Sequence, residues 1–256
     1  MREQDNEQQQ RRRLLLGIGS LSAGLALLPW QAQGTASSQE AGARQGRQTP
    51  RWAMLIDLRK CVVGCQACTV ACCMENLPPI GQFRTTVKQY EVSGAAAHGV
   101  SQMFTLPRLC NHCEAPPCIP VCPVQATYQR EDGIVMVDNT RCVGCAYCVQ
   151  ACPYDARFIN HETLTADKCT FCAHRLEAGL LPACVDSCVG GARIIGDLHD
   201  PQSTLSRLLA AHSGEIYQLK PEQHTEPRVF YLGLDSAFVS QVSGQPALYG
   251  DEEQHP

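Results

Sequence analysis

The sequence predicts a loop-rich α+β protein in which short hairpins and short helices separate cysteine-bearing loops. Sixteen of the 17 cysteines fall into four motifs of four cysteines each. A short apolar segment precedes two of the motifs at the same distance, and an alanine follows the last cysteine of three motifs by four residues. Because these features recur along the chain, they indicate an internal repeat.

The third cysteine motif has the most informative spacing. It consists of Cys142, Cys145, Cys148 and Cys152, followed directly by Pro153. In bacterial ferredoxins this spacing holds cubane iron–sulfur clusters: the first three thiolates bind one cluster, and the fourth ligates the neighbouring cluster. The motif therefore predicts a protein that carries electrons.

The other three motifs are variations on this spacing. Motif two has a two-residue expansion before its third cysteine, motif four has an eleven-residue insertion, and motif one has three residues instead of two between its first pair. Their members are Cys61, Cys65, Cys68 and Cys72 in motif one, Cys110, Cys113, Cys118 and Cys122 in motif two, and Cys169, Cys172, Cys184 and Cys188 in motif four. The departure in motif one makes Cys61 the least regular of the candidate ligands.

Two other uses of these cysteines are open. Two CxxC pairs separated by a loop can form a four-thiolate zinc site, and export to an oxidising compartment would allow disulfides. Neither requires the spacing seen from Cys142 to Pro153, and an odd number of cysteines does not pair completely. The seventeenth, Cys73, is expected to be a small buried thiol, the alternative being a substitute ligand if the extra residue shifts motif one.

The repeat predicts short strands around the cysteine loops. Residues 54–57 precede Cys61 as residues 135–138 precede Cys142, with three residues between the aspartate and the cysteine in both cases. Short apolar runs of this kind are typical of strands. Further strand-like runs follow the repeated alanines Ala126, Ala156 and Ala192, at 128–129, 157–159 and 193–195.

The strands group the motifs into two modules. Asp132 and Gly133 supply a hairpin turn within the segment 126–137, so motifs two and three form one ferredoxin-like module with two clusters. Motifs one and four lie on either side of it and form a second, enclosing module. A region this rich in loops buries too little apolar surface to fold alone, so the clusters are expected to act as its cross-links.

The N-terminal segment 1–36 predicts export. Arg11, Arg12 and Arg13 precede an apolar stretch at 14–28, which small residues follow. This order is typical of a twin-arginine signal, a route that carries proteins already folded to the periplasm. No later stretch is long and apolar enough to cross a bilayer, so attachment to the inner membrane is expected through a partner subunit.

The predicted organisation follows from these segments. It comprises a signal segment at 1–36, a linker at 37–50, a four-cluster domain at 51–197 with an inner module at about 107–160 and an outer module at 51–75 plus 165–197, and a partner-docking tail at 198–256.

Charge excludes one class of partner. The whole chain carries a formal net charge of −4; residues 1–36 hold four arginines and three acidic residues, a net of +1, which leaves −5 for the remainder. An acidic chain lacks the basic surface by which proteins bind phosphate backbones, so nucleic acid is not expected as a partner.

The C-terminal tail contains two predicted elements. Leu205, Leu208 and Leu209 have helical spacing within 201–212, and residues 228–234 are strand-like. Both either pack on the cysteine-rich core or dock a partner, the strand by adding to the edge of another subunit's sheet.

Laid out in order, the four motifs resemble those of the four-cluster iron–sulfur electron-transfer subunits of bacterial molybdopterin oxidoreductases. The resemblance covers about residues 52–197. Further stretches that carry it, apart from the motif spacing, are 84–86, 107–113, 155–162, 174–184 and 229–235.

The resemblance implies four [4Fe-4S] clusters and a ligand set for each. Group 1 is Cys61, Cys65, Cys68 and Cys188; group 2 is Cys72, Cys169, Cys172 and Cys184; group 3 is Cys110, Cys113, Cys118 and Cys152; group 4 is Cys122, Cys142, Cys145 and Cys148. Some relatives have tryptophan at the position of Cys142 and carry a three-iron cluster, whereas cysteine here implies a cubane.

The resemblance also implies partners and a role. These are a molybdopterin-containing catalytic subunit and a multi-spanning membrane subunit that oxidises quinol, with no catalytic residue in this chain. The stretches between the cysteines favour a complex that reduces tetrathionate to thiosulfate. A polysulfide, thiosulfate, dimethyl sulfoxide or nitrite reductase, or a free-standing periplasmic electron carrier, is the alternative.

Overall fold

The computed structural model describes residues 49–92, 102–234 and 247–248. Its strands are β1 (Trp52–Asp57), β2 (Thr85–Val92), β3 (Gln102–Leu109), β4 (Thr127–Gln129), β5 (Val135–Val137), β6 (Arg157–Ile159), β7 (Ala166–Lys168), β8 (Arg193–Asp197), β9 (Ile216–Gln218), β10 (Val229–Leu232) and β11 (Ala247–Leu248). Its helices are α1 (Ala67–Asn76), α2 (Tyr147–Gln150), α3 (Ala173–Glu177), α4 (Ala183–Asp186) and α5 (Thr204–Ala211). Short helices and small sheets joined by loops confirm the predicted fold class.

The largest sheet among the described residues has five strands in the order β11-β9-β10-β1-β8. β1 pairs in parallel with β10 and antiparallel with β8, so two segments far apart in sequence flank it. Ala53 and Leu55 of β1 pack under α5, while Met54 and Ile56 face the cysteine loops on the opposite side. Successive side chains of a strand point to opposite faces, and an apolar run buried on both faces therefore suits this central position.

The predicted repeat is visible as three antiparallel strand pairs. β4 pairs with β5, β6 with β7, and β8 with β1. In the first pair, the turn contains Gly133 with a φ of +83°, where a glycine is favoured. Asp57 and Asp138 occupy equivalent positions, because their amides donate to the carbonyls of Ala192 and Ala126, both at 2.8 Å. The strands and the hairpin predicted around the cysteine motifs are thus confirmed.

A long hairpin formed by β2 and β3 was not predicted from the sequence. Its register runs from Thr85 opposite Leu109 to Val92 opposite Gln102. It packs on the sheet, since the Tyr231 hydroxyl of β10 donates to the carbonyl of Pro107 at 3.0 Å. Residues 93–101 at its tip lie outside the described residues.

The predicted helix at 201–212 is α5, and it lies against β8 and β1. Ser203 caps it by accepting from the amide of Ser206 at 3.1 Å. Leu205 is fully buried, and a Cβ at Gly196 of β8 would stand 2.4 Å from its Cβ. Glycine at 196 therefore allows helix and sheet to approach closely.

Leu205→Ala is expected to lower the free energy of unfolding by about 2–5 kcal/mol, because it leaves a cavity between α5 and the sheet. Denaturant unfolding of the cluster-loaded chain measures it. Leu208→Ala is the matched control, since Leu208 is only half-buried, and its cost should be clearly smaller. Equal effects at the two positions would contradict the packing described for α5.

The strand predicted at 228–234 is β10, and it lies inside the five-stranded sheet. β9 and β1 pair with its two edges, so adding this strand to a partner's sheet is not possible. The packing alternative therefore describes 198–234, and the fold continues across the boundary expected at residue 197. Docking by the tail stays a prediction for residues beyond 234, of which only 247–248 are described.

Two predictions concern segments that the structure does not describe. The signal segment at 1–36 and linker residues 37–48 lie outside the described residues. Within the described ranges, no helix has both the length and the apolar character needed to span a bilayer.

Candidate metal centres

The structure brings the four cysteines of group 1 around one hollow. Cys61 and Cys65 lie on the loop after β1, Cys68 is in the first turn of α1, and Cys188 follows α4. Together they line about 360 Å³ of unfilled space that opens partly to solvent. The extra residue between Cys61 and Cys65 is accommodated in the loop, and Cys61 reaches the same hollow as the others.

The cysteines of group 2 surround a second hollow. Cys72 comes from the C-terminal half of α1, Cys169 and Cys172 from the loop between β7 and α3, and Cys184 from α4. The unfilled space is about 260 Å³. All four side chains are buried, so this site is shielded from water.

Group 3 is brought together by two loops and is also mostly buried. The negative charges of Cys110, Cys118 and Cys152 all oppose ionisation of Cys113, which shows that the four thiols face one another. Burial, with that repulsion, raises the pKa of Cys113 to about 12. Burial likewise raises the pKa of Cys118 to about 11 and, in group 2, that of Cys72 to about 12.

Group 4 surrounds a hollow of about 290 Å³ close to the surface. Cys122, Cys142, Cys145 and Cys148 line it together with Gly144. Cys145 is exposed, whereas Cys148 in α2 is buried. All sixteen cysteines implied by the resemblance are therefore found in the expected sets of four, and motifs exchange their last cysteines in pairs: one with four, and two with three.

The four groups follow one another in numerical order. Cys184 of group 2 interacts electrostatically with Cys68 of group 1, and Cys169 of group 2 with Cys110 of group 3. Cys118 of group 3 and Cys148 of group 4 belong to one apolar cluster. The arrangement is a row with groups 1 and 4 at its ends.

Backbone amides at repeated positions donate to the sulfurs. The amide of Ala126 donates to Cys122 Sγ and the amide of Ala192 to Cys188 Sγ, both at 3.2 Å. Backbone hydrogen bonding from Ala156 similarly favours the thiolate of Cys152. The alanine four residues after the cysteine thus marks a tight turn whose amide points at the sulfur. Hydrogen bonds of this kind favour the ionised thiol that binds metal.

Asn76 is a further polar neighbour of the sulfurs, and sequence reasoning missed it. Its amide nitrogen lies 3.6 Å from Cys72 Sγ and 3.7 Å from Cys172 Sγ, both in group 2. Arg84 holds the side chain in place by donating to Asn76 Oδ1 at 2.9 Å. Residues 84–86 carried part of the family resemblance, which was the available signal.

Three buried cations near the sulfurs were also missed. Arg157, Lys168 and Arg193 are at most 5% exposed. Lys168 donates to the carbonyl of Cys169 at 2.8 Å and to that of Val135. The two arginines occupy the same repeat position, directly after Ala156 and Ala192, and that was the signal in the sequence.

Cys73 and His112 lie near the groups without joining them. Cys73 is half-buried on α1 and lines none of the three hollows described above. His112 is fully buried, accepts from the amide of Val135 at Nδ1 at 3.0 Å, and packs on Phe171 with ring centroids 3.9 Å apart. Burial holds the pKa of His112 well below its usual value, so the ring is neutral.

The donor sets fit a cluster better than a single ion. A four-thiolate zinc site draws its sulfurs to about 2.3 Å from the metal, whereas the cysteines of groups 1, 2 and 4 enclose about 260 Å³ or more. Among the described side chains, no three potential ligands stand close enough to share one ion. A [4Fe-4S] cluster supplies one-electron redox chemistry and needs four separated thiolates.

Gly190→Ala is expected to destabilise group 1, because a Cβ there would stand 2.1 Å from the carbonyl oxygen of Lys60. Such overpacking costs about 1–3 kcal/mol. Gly214→Ala is the control, since nothing lies within 4 Å of its Cβ. Iron retention during thermal unfolding measures both variants, and wild-type retention in Gly190→Ala would contradict the close contact between these loops.

Comparisons with known proteins agree with this chemistry. A family model described as a 4Fe-4S dicluster domain matches residues 101–198. The subunit designated B in the tetrathionate reductase of Salmonella typhimurium is 61% identical over 246 residues, covering 95% of this chain and 97% of that protein. Its counterpart of the same designation in the selenate reductase of Mesobacillus selenatarsenatis is 41% identical over 215 residues, covering 71% and 72%. That in the tetrathionate reductase of Archaeoglobus fulgidus is 39% identical over 210 residues, covering 81% and 95%.

The fold and the cysteine groups define an iron–sulfur electron-transfer protein, as the sequence predicted. The chain belongs to the family of iron–sulfur electron-transfer subunits that includes those of the tetrathionate reductases.

Proposed function

We propose that this chain carries electrons within a periplasmic molybdopterin reductase complex. Electrons pass from a membrane subunit that oxidises quinol, through four [4Fe-4S] clusters held by groups 1 to 4, to a catalytic subunit that reduces tetrathionate to thiosulfate. The observation that carries the proposal is the row of four four-cysteine groups, in a chain 61% identical to a tetrathionate reductase subunit. The twin-arginine signal at 1–36 supports export of the folded protein.

The ligand assignment is part of this proposal. Each group supplies four thiolates to one cluster. The exchanged cysteines Cys152 and Cys122 join groups 3 and 4 into an inner module, and Cys188 and Cys72 join groups 1 and 2 into an outer one. The chain's residues bind the clusters, exclude water from groups 2 and 3, and orient amides toward the sulfurs.

The two ends of the row have the surfaces that electron transfer to partners requires. Exposed apolar side chains surround group 4, with Val143 64%, Tyr147 55% and Leu164 67% exposed. Val189, beside group 1, is 80% exposed. Apolar side chains are typical of the buried centre of protein interfaces. The ends of the row therefore support docking of one partner at each.

An acceptor assay on the purified complex tests the substrate. Reduced viologen supplies electrons, and its oxidation is followed with tetrathionate, thiosulfate, polysulfide, dimethyl sulfoxide, nitrite and selenate. The proposal predicts fastest oxidation with tetrathionate. Selenate belongs in the panel because a selenate reductase subunit is 41% identical; a preference for it or another acceptor would reject the tetrathionate assignment and leave the electron-transfer role intact.

Co-purification tests the complex itself. After mild detergent extraction, the chain should co-purify with a molybdenum-containing large subunit and with a membrane subunit. A chain recovered alone, with all its iron, would instead indicate a free-standing electron carrier.

A further inference from the structure

We propose that Arg193 and Arg157 tune the electron path, each placing a permanent positive charge between two successive cysteine groups and making both neighbouring clusters easier to reduce. The inference rests on the proposed cluster sites. Both arginines begin a strand, β8 and β6, directly after a repeated alanine. The repeat therefore places one cation at the corresponding point of each pair of groups.

Arg193 lies between groups 1 and 2. Its side chain lines the hollow of group 1 beside Cys68, and its Nη1 donates to Sγ of Cys184 in group 2 at 3.7 Å. Nη2 donates to the hydroxyl of Thr85 at 2.8 Å, which holds the guanidinium in this orientation. The residue is 3% exposed, so water does not screen its charge.

Arg157 lies between groups 3 and 4. Its nearest negative neighbours are Cys118 and Cys110 of group 3 and Cys148 of group 4. Its Nη1 donates to the hydroxyl of Thr127 at 3.2 Å, and Thr127 lines the hollow of group 4. The residue is 5% exposed.

Neither arginine has a carboxylate partner among the described residues, where every ion pair involves other side chains. A buried charge without a counter-charge is strongly unfavourable. The sulfurs of the cysteine groups face both arginines, so cysteine thiolates supply the compensating negative charge. Electrostatics and hydrogen bonding around the ligands are recognised determinants of cluster potential.

The effect of each arginine should extend to both groups it faces. Adding an electron adds negative charge, and a fixed cation close by stabilises that charge in a poorly screened interior. Arginine stays protonated under all relevant conditions. Each pair of groups is thus raised together, which keeps its two members close in potential while making both better electron acceptors.

The test is a redox titration of the intact complex followed by electron paramagnetic resonance. In Arg193→Gln, two of the four midpoint potentials should fall, each by at least a factor of ten in the one-electron equilibrium constant, about 59 mV. In Arg157→Gln, the other two should fall. Arg193→Lys and Arg157→Lys retain the charge and should shift less than half as far. Arg207→Gln, at an exposed position, should shift none.

Unchanged potentials in both glutamine variants, with full iron content, would overturn the inference. Equal shifts in lysine and glutamine variants would also overturn it, because packing or hydrogen bonding rather than charge would then be the cause. If a glutamine variant loses clusters, the lysine variant decides: retention of all clusters near wild-type potentials supports the charge role, and loss there rejects it. Absence of iron from the unaltered protein would instead reject the proposed function.

Discussion

Replacing Cys145 by serine is expected to remove or convert the cluster of group 4 and to lower quinol-linked turnover by more than about 100-fold. Cys145 lines the hollow of group 4 with three other cysteines. Its side chain is exposed, so the smaller hydroxyl leaves the core packing unchanged. The defect should therefore be confined to the cluster and to electron flow at this end of the row. Iron content, spectroscopy of the clusters and quinol oxidation measure it.

Cys73→Ser is the matched control, because it makes the same chemical change at a cysteine that lines none of the described hollows. Its iron content and turnover should stay near the wild-type values. If Cys73→Ser lost a cluster, motif one would have a different register from the one in the structure. If Cys145→Ser kept every cluster and full turnover, the assignment of group 4 would be wrong.

Removing the iron is expected to unfold most of the chain. Without metal, buried thiols such as Cys72 and Cys113 retain their protons, because burial raises their pKa to about 12. Arg157, Lys168 and Arg193 then lose their counter-charges. Leaving one buried charge unpaired costs about 3–5 kcal/mol, and three such losses are comparable to the whole stability of a domain, about 5–15 kcal/mol.

Circular dichroism and limited proteolysis after anaerobic chelation measure this effect. We expect loss of the native spectrum and rapid cleavage within 51–197. Because α5 and the strands it covers form a separate apolar cluster, the segment around them should be cleaved more slowly. A chelated chain with its native spectrum and protease resistance would show that the polypeptide folds without its clusters.

Local repetition made much of the fold predictable from sequence. Asp57 and Asp138 stand at the same distance before a cysteine, and in the structure both end a strand of an antiparallel pair. The alanines four residues after Cys122 and Cys188 could be recognised as a repeat, although their role, an amide directed at the sulfur, required the structure. The membership of the four groups came from the family resemblance.

The remaining features depend on contacts between distant segments. The pairing of β10 with β1 joins residues more than 170 positions apart, and nothing within either strand specifies that partner. The β2–β3 hairpin has no cysteine to mark it. Arg193 looks like an ordinary strand residue until the fold places it between Cys68 and Cys184.

The central claim is that sixteen cysteine thiolates hold four iron–sulfur cubanes in a row. Iron and acid-labile sulfide analysis of anaerobically purified protein tests it most directly. The account predicts about sixteen iron atoms and as many sulfides per chain, four of each for every group. Iron and sulfide near zero, with zinc or disulfides in their place, would contradict it.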